Sequence, residues 1–250
     1  MRTDVLADRL AELDRQRQRP KFIYTIVNFQ NPAGPTLSLR RRQELLDLAA
    51  RYETLIVEDD AYGELRYDGE PVPSLVALDR HGLVMRMGTL SKILGAGLRL
   101  GWVIAAKPII DRLTTLKLDG GTNPFVSRVA CEYLRQHLVA HVDELRRIYR
   151  GKRNAMLRTL DEELGGSGAT WSRPDGGFFI WLELPRSVDP WKLQVEAARR
   201  GVGIVPGPSF FPGGQTGEQF VRFAFSYCNE VTIREGIREF AKAFRAAQQG

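Results

Sequence analysis

The sequence predicts an α/β fold: a mainly parallel sheet with helices on both faces, followed by a smaller α+β domain. Three observations predict it. The apolar runs at 21–28, 54–57 and 83–87 show little polar alternation, as strands buried on both faces do. A segment of helical period separates the first two, which makes a βαβ unit. After a long helical stretch at 124–164 the chain changes character, and short strands alternate with short helices.

Residues 3–19 read as a polar amphipathic helix with Leu6, Leu10 and Leu13 at helical spacing, stopped by Pro20. The run K-F-I-Y-T-I-V-N at 21–28 is β-branched and aromatic, hence a strand, and F-Q-N-P-A-G-P is a turn. Ser38 caps a helix reaching about Tyr52, with Leu45, Leu46, Leu48 and Ala49 facing inward. The strand at 54–57 ends in Glu58-Asp59-Asp60, and residues 62–82 read as irregular. The strand at 83–87 is followed by a glycine loop and a strand at 102–106. That loop is too short for a helical crossover, so the pair is antiparallel. A helix over 108–118 and a G-G-T-N-P break follow. The helical period then persists to residue 164, Gly151 being the one candidate for a break. Next come a strand in G-G-F-F-I-W-L-E-L, a helix over 190–200, a strand and loop over 201–211, a strand over 219–227 and a closing helix over 231–248. The domains expected are therefore 1–125, connecting helices over 126–165, and 166–250.

The 250 residues carry a formal net charge of +6 and are 43% hydrophobic, enough for real cores. Arginine is spread along helices, and no zinc-finger or basic-zipper motif accompanies it, which speaks against nucleic acid. No run is apolar enough to span a bilayer, and the N-terminus is charged rather than signal-like. Cys131 and Cys228 lie far apart and read as buried thiols in a reducing compartment. A cytoplasmic protein is expected.

Ligands of parallel sheets sit beyond the carboxyl ends of the strands. Three strand ends offer Asn31, Asp59 and Lys92, at separations of 28 and 33 residues, so that all three can face one crevice. A lysine at a strand mouth beside hydroxyls and backbone amides suits attack on a carbonyl or a grip on phosphate. With an amide and a carboxylate beside it, the amine suits the Schiff-base lysine of pyridoxal 5'-phosphate. The carboxylate keeps the pyridine nitrogen protonated and a hydrogen-bond donor supports the ring phenolate. Leu55, Val57 and Asp59 share one strand face, and Ile56, Glu58 and Asp60 the other. Either Asp is a candidate for the ring nitrogen, but not both. Tyr62 is a second candidate donor to the phenolate. Thr89 and Arg99 make a reasonable phosphate pair, and Gly95, Gly97 and Gly101 would let the backbone fold back between them. Arg222 stands among small residues opposite Val221, Phe223 and Phe225, which suits a bidentate grip on a substrate carboxylate. Gly176 and Gly177 would allow close approach to the cleft.

Each residue also has a plain structural reading. Asn31 forms a turn, E-D-D caps a helix or holds a metal, and Lys92 is solvated. Gly95-Ala-Gly97-x-x-x-Gly101 misses a dinucleotide fingerprint by one residue, and Thr89-Leu-Ser-Lys92 lacks the companion motifs of the S-x-x-K enzymes. Trp171, Phe178 and Trp181 read as core. Order and spacing together favour the site.

The motifs F-Q-N-P-A-G-P-T-L-S, V-E-D-D-A-Y-G-E-L, G-T-L-S-K-I-L-G-A-G-L-R-L-G-W and R-P-D-G-G-F-F-I-W-L resemble those of fold-type I pyridoxal-phosphate aminotransferases. The nearest branch is that of the 2-aminoadipate and multi-substrate enzymes, whose domain also forms the C-terminal part of MocR-type transcription regulators. The resemblance covers nearly the whole chain. It implies that Asn31 and Tyr62 bond the phenolate, that Asp59 pairs with the ring nitrogen, and that Lys92 is the Schiff-base lysine and proton shuttle. It further implies that Thr89 and Arg99 bind the phosphate, and that Arg222, with Asn31, holds the substrate carboxylate. Thr89 stands where many relatives have Ser. No metal is implied. On this resemblance the sequence is expected to begin partway through the family's large domain, after its remaining phosphate loop, ring-stacking aromatic and part of the dimer surface. The expected function is transfer of an amino group between an amino acid and a 2-oxo acid, by a homodimer. The alternative is a non-catalytic ligand-sensing domain or inactive fragment.

Overall fold

A computed structural model describes residues 1–248, which form two compact units. Unit 1 comprises residues 1–28 and 36–142, and unit 2 comprises residues 29–35 and, of the described residues, 143–248.

In unit 1, α1 (Thr3–Arg15), β1 (Phe22–Ile26), α2 (Leu39–Arg51), β2 (Leu55–Asp59), α3 (Leu75–Leu78), β3 (Val84–Thr89), β4 (Gly101–Ile104) and α4 (Lys107–Leu116) follow one another. The sheet has the order β1-β2-β3-β4. The first three strands are parallel, and β4 returns antiparallel to β3, as its short loop requires. Alternation along the strands sends Ile23, Ile56 and Val84 to one face. There they meet Leu10 of α1, Leu45 and Ala49 of α2 and Leu75 of α3 in one core. Ser38 caps α2 by accepting from Arg41 N–H. The single turn α3 lies in the stretch expected to be irregular, and Glu58 explains it. Its Oε1 and Oε2 accept from the N–H groups of Leu75 and Val76 at 2.9 and 3.1 Å.

Helix α5 (Pro124–Leu164) runs without a break. The break considered at Gly151 is absent: a Cβ there would lie 2.5 Å from Glu230 Oε1, so the glycine makes room for that side chain within a regular helix. In unit 2 follow β5 (Thr170–Trp171), β6 (Phe179–Glu183), α6 (Pro190–Arg199), β7 (Val205–Pro206), β8 (Phe220–Ala224) and α7 (Glu230–Ala247). Their antiparallel sheet has the order β5-β6-β8-β7. Its inner face carries Ile180, Leu182, Val221 and Phe223, all buried, and Phe223 meets Phe240 of α7 edge-on at 4.8 Å. Phe178 is buried, as expected of a core residue, whereas Trp171 and Trp181 are half-buried.

The reading of both cysteines as buried thiols is corrected. Cys131 is exposed on α5 and Cys228 half-buried in the loop after β8, so neither thiol is core. Both are free. Arg42, on the helix face that buries Leu45 and Ala49, is 0% exposed. It donates to the carbonyls of Leu37 (2.9 Å), Val27 (3.3 Å) and Pro73 (3.0 Å) and to Asn28 Oδ1 (2.7 Å). Among the described residues no helix is long and apolar enough to cross a membrane.

Arg42→Leu removes this donor from Leu37 O, Pro73 O and Asn28 Oδ1, while Val27 O keeps the N–H of Leu37 at 2.8 Å. Each such group costs about 1 kcal/mol or more, so urea unfolding should show a loss of about 3 kcal/mol or more. A loss below about 1 kcal/mol would mean that the arginine is not a support of this core.

Candidate functional site

The acidic end of β2 splits by parity. Glu58 and Asp60 turn to the face covered by α2 and α3, and both are buried. Glu58 holds the start of α3, and its burial raises its pKa above the ordinary carboxyl value. Asp60 accepts from Asn28 Nδ2 at 2.8 Å and from Arg86 Nη2. Asp59 faces the other side, level with Ile26 on β1 and Met87 on β3, and so shares a face with Thr89. There it accepts from the Tyr24 hydroxyl, Oη to Oδ2 2.6 Å.

Lys92 lies beyond β3 in a single π turn, Ser91–Gly95, where Gly95 N–H reaches back to Leu90 O at 3.2 Å. Such turns cluster at functional sites. Its Nζ is 5.7 Å from the centroid of the buried Tyr62 ring, a cation–π distance. The loop is closed at its base. Leu90 N–H donates to Leu100 O at 3.0 Å, and Thr89 Oγ1 donates to the same carbonyl at 3.2 Å. Thr89 Oγ1 also accepts from Ser91 N–H at 3.0 Å. From α5, His141 Nε2 lies 2.6 Å from Ile93 O. A carbonyl only accepts, so Nε2 carries a proton there, and Nδ1 lies 3.2 Å from Tyr133 Oη.

The loop glycines act differently from the expectation. The left-handed residue is Arg99, at φ +53°, while Gly95 is extended and a Cβ at Gly97 would meet nothing within 4 Å. Gly101 does allow close approach, since a Cβ there would be 3.0 Å from Gly88 O. The required glycine is Gly88, where a Cβ would lie 2.3 Å from the Trp102 ring. Arg99 itself is exposed and donates from Nη1 to Ala96 O at 3.1 Å.

Asn31 belongs to unit 2 and meets Arg222 there. Arg222 Nη1 donates to Asn31 Oδ1 at 2.9 Å. The guanidinium carbon stands 4.3 Å from the Phe179 ring centroid and 4.8 Å from that of Phe210, within cation–π distance of both rings. The F-Q-N-P-A-G turn is seated by glycines. Gly177, at φ +73°, would place a Cβ 2.6 Å from Phe29 Cβ, and one at Gly34 would lie 2.9 Å from Pro174 Cβ. Gly177 therefore serves the packing of Phe29. Among the described residues no group of three His, Cys, Asp or Glu side chains is arranged to hold a metal.

The family model "Aminotransferase class I and II" matches residues 1–240. The chain belongs to this aminotransferase family. It is 40% identical over 248 residues to aromatic-amino-acid aminotransferase 1 of Thermococcus litoralis, covering 98% of this chain and 59% of the relative. The crystal structure of a Pyrococcus horikoshii kynurenine aminotransferase, in complex with PMP, superimposes with a TM-score of 0.94 at 39% identity, over 100% of this chain and 62% of that one. LysN of Thermus thermophilus, an alpha-aminoadipate aminotransferase complexed with N-(5'-phosphopyridoxyl)-L-leucine, gives a TM-score of 0.89 at 34% identity, over 96% and 62%. The chain thus spans about three fifths of the length of these relatives.

Tyr24 and His141 are the site neighbours that sequence reasoning missed in this member of the family. Tyr24 has the parity of Ile26, but only the pairing register brings it to Asp59. His141 is 48 residues from Ile93, and nothing local to either residue signals the pair.

Gly177→Ala should lower stability by about 1–3 kcal/mol in thermal or urea unfolding, from a positive φ and a clash with Phe29. An unchanged midpoint would show that the turn at 29–35 shifts without cost.

Proposed function

We propose that this chain forms part of a pyridoxal 5'-phosphate-dependent aminotransferase, moving an amino group between an amino acid and a 2-oxo acid. The observation that carries the reading is the division of the acids on β2. Glu58 and Asp60 are taken up by buried hydrogen bonds, and Asp59 is on the face it shares with Thr89.

The donor set fits the cofactor: a lysine amine, a carboxylate, a phenol and an amide, a hydroxyl and a guanidinium. In this reading Lys92 holds the cofactor covalently between half-reactions and moves the proton at the substrate α carbon. Asp59 keeps the ring nitrogen protonated, and Tyr62 and Asn31 support the phenolate. Thr89 and Arg99 bind the phosphate. Arg222, oriented by Asn31 and two rings, grips the α-carboxylate. Bound there, the cofactor supplies an aldehyde that takes up the amino group and a ring that accepts electrons from the α carbon.

The activities for which these relatives are named support amino acids with aromatic or long side chains as substrates. A homodimer is part of the proposal. It is supported by the apolar side chains exposed at the end of α4 and the start of α5, Leu116, Leu118, Phe125 and Val129. Free Cys131 and Cys228 fit a cytoplasmic location.

Mixed with pyridoxal 5'-phosphate, the chain should gain a visible absorbance band that Lys92→Ala abolishes. Adding amino acids should convert that band to the pyridoxamine form. A band that survives Lys92→Ala overturns the assignment of the lysine, whereas binding without conversion favours the ligand-sensing alternative. Arg222→Lys should raise the amino-acid concentration needed for conversion about tenfold or more, because an ammonium cannot reproduce the fork of a guanidinium. An unaltered concentration dependence places the carboxylate elsewhere.

A further inference from the structure

Tyr24 is half exposed on β1, yet its hydroxyl is committed. The register pairs Tyr24 with Val57 and Ile26 with Asp59, so Tyr24 and Asp59 are diagonal neighbours on one sheet face. That separation is within reach of an aromatic side chain. At 2.6 Å the Oη to Oδ2 contact has the length of a hydrogen bond from a hydroxyl to an ionised carboxylate. A phenol that spans the strands in this way restricts the rotation of the carboxylate and occupies one of its two oxygens.

Resting on the cofactor reading above, we propose that Tyr24 is a positioning residue. It ties Asp59 Oδ2 so that the carboxylate presents Oδ1 to the cofactor's ring nitrogen. It acts through Asp59 and needs no contact with the cofactor. The same bond and partial burial raise the phenol's own pKa, burial being the larger cause. Tyr24 therefore remains a donor throughout the neutral range.

The test is a double-mutant cycle read as the dissociation constant of pyridoxal 5'-phosphate, by fluorescence quenching, in the 250-residue chain, Tyr24→Phe, Asp59→Asn and the double variant. Tyr24→Phe should weaken cofactor binding about fivefold, as expected for loss of a partly solvated charge-assisted bond. In the Asp59→Asn background the same change should have an effect of less than about twofold. Equal weakening in both backgrounds would assign Tyr24 a structural role and overturn the proposal, as would no weakening in either. If the unaltered chain takes up no cofactor, the functional reading fails and this one with it. A measurement without cofactor stands beside the cycle. Ultraviolet titration of the ligand-free chain, taken as the difference from Tyr24→Phe, should place the Tyr24 phenol above the ordinary range, and Asp59→Asn should lower it. A phenol that ignores Asp59→Asn has no bond to that carboxylate, and the proposal falls whatever the state of the cofactor site.

Discussion

A buried polar chain underlies unit 1. Arg42 on α2 donates to Asn28, Asn28 donates to Asp60, and Arg86 on β3 donates to Asp60 from the other side. This joins one helix to the ends of β1 and β2 and to β3. Charges and amides removed from water cost several kcal/mol unless each finds a partner, so these side chains are held in one arrangement. The consequence for chemistry is indirect. With Asp60 and Glu58 engaged on the helix-covered face, strand alternation leaves Asp59 on the opposite face.

The lysine loop relies on a second set of bonds. Leu100 O receives both Leu90 N–H and the Thr89 hydroxyl, which shuts the base of the loop, and His141 holds Ile93 O next to Lys92. A nucleophile on a loop is only as well placed as the loop, and these bonds come from the residue just before β4 and from α5. In unit 2 the corresponding support is aromatic. The rings of Phe179 and Phe210 both lie within cation–π distance of the Arg222 guanidinium while Asn31 takes one of its N–H groups.

Elements with a local cause were legible. The strands at 21–28, 54–57 and 83–87, the Ser38 cap and the antiparallel return of β4 follow from period, capping chemistry and loop length, which neighbouring residues determine. Residues whose role depends on a distant partner were not. Gly151 reads as a break and is a helical glycine facing Glu230; Arg42, the third of three consecutive arginines, is fully buried. Arg99 takes the left-handed turn despite three nearby glycines, because the geometry of the closed loop, not residue preference, sets φ there.

Taken alone, the sequence determined the α/β class, the order of the strands along the chain, and the residue types available at each strand end. It determined that Asp59 and Asp60 would face opposite ways, since a strand's period of two permits nothing else. Tertiary structure decided which face is structural. It also decided that Arg222 meets Asn31, 191 residues away, that Tyr24 reaches Asp59, and that Cys131 is exposed. Alternation is a property of neighbouring peptides, whereas register and packing arise only when distant segments compete for the same space.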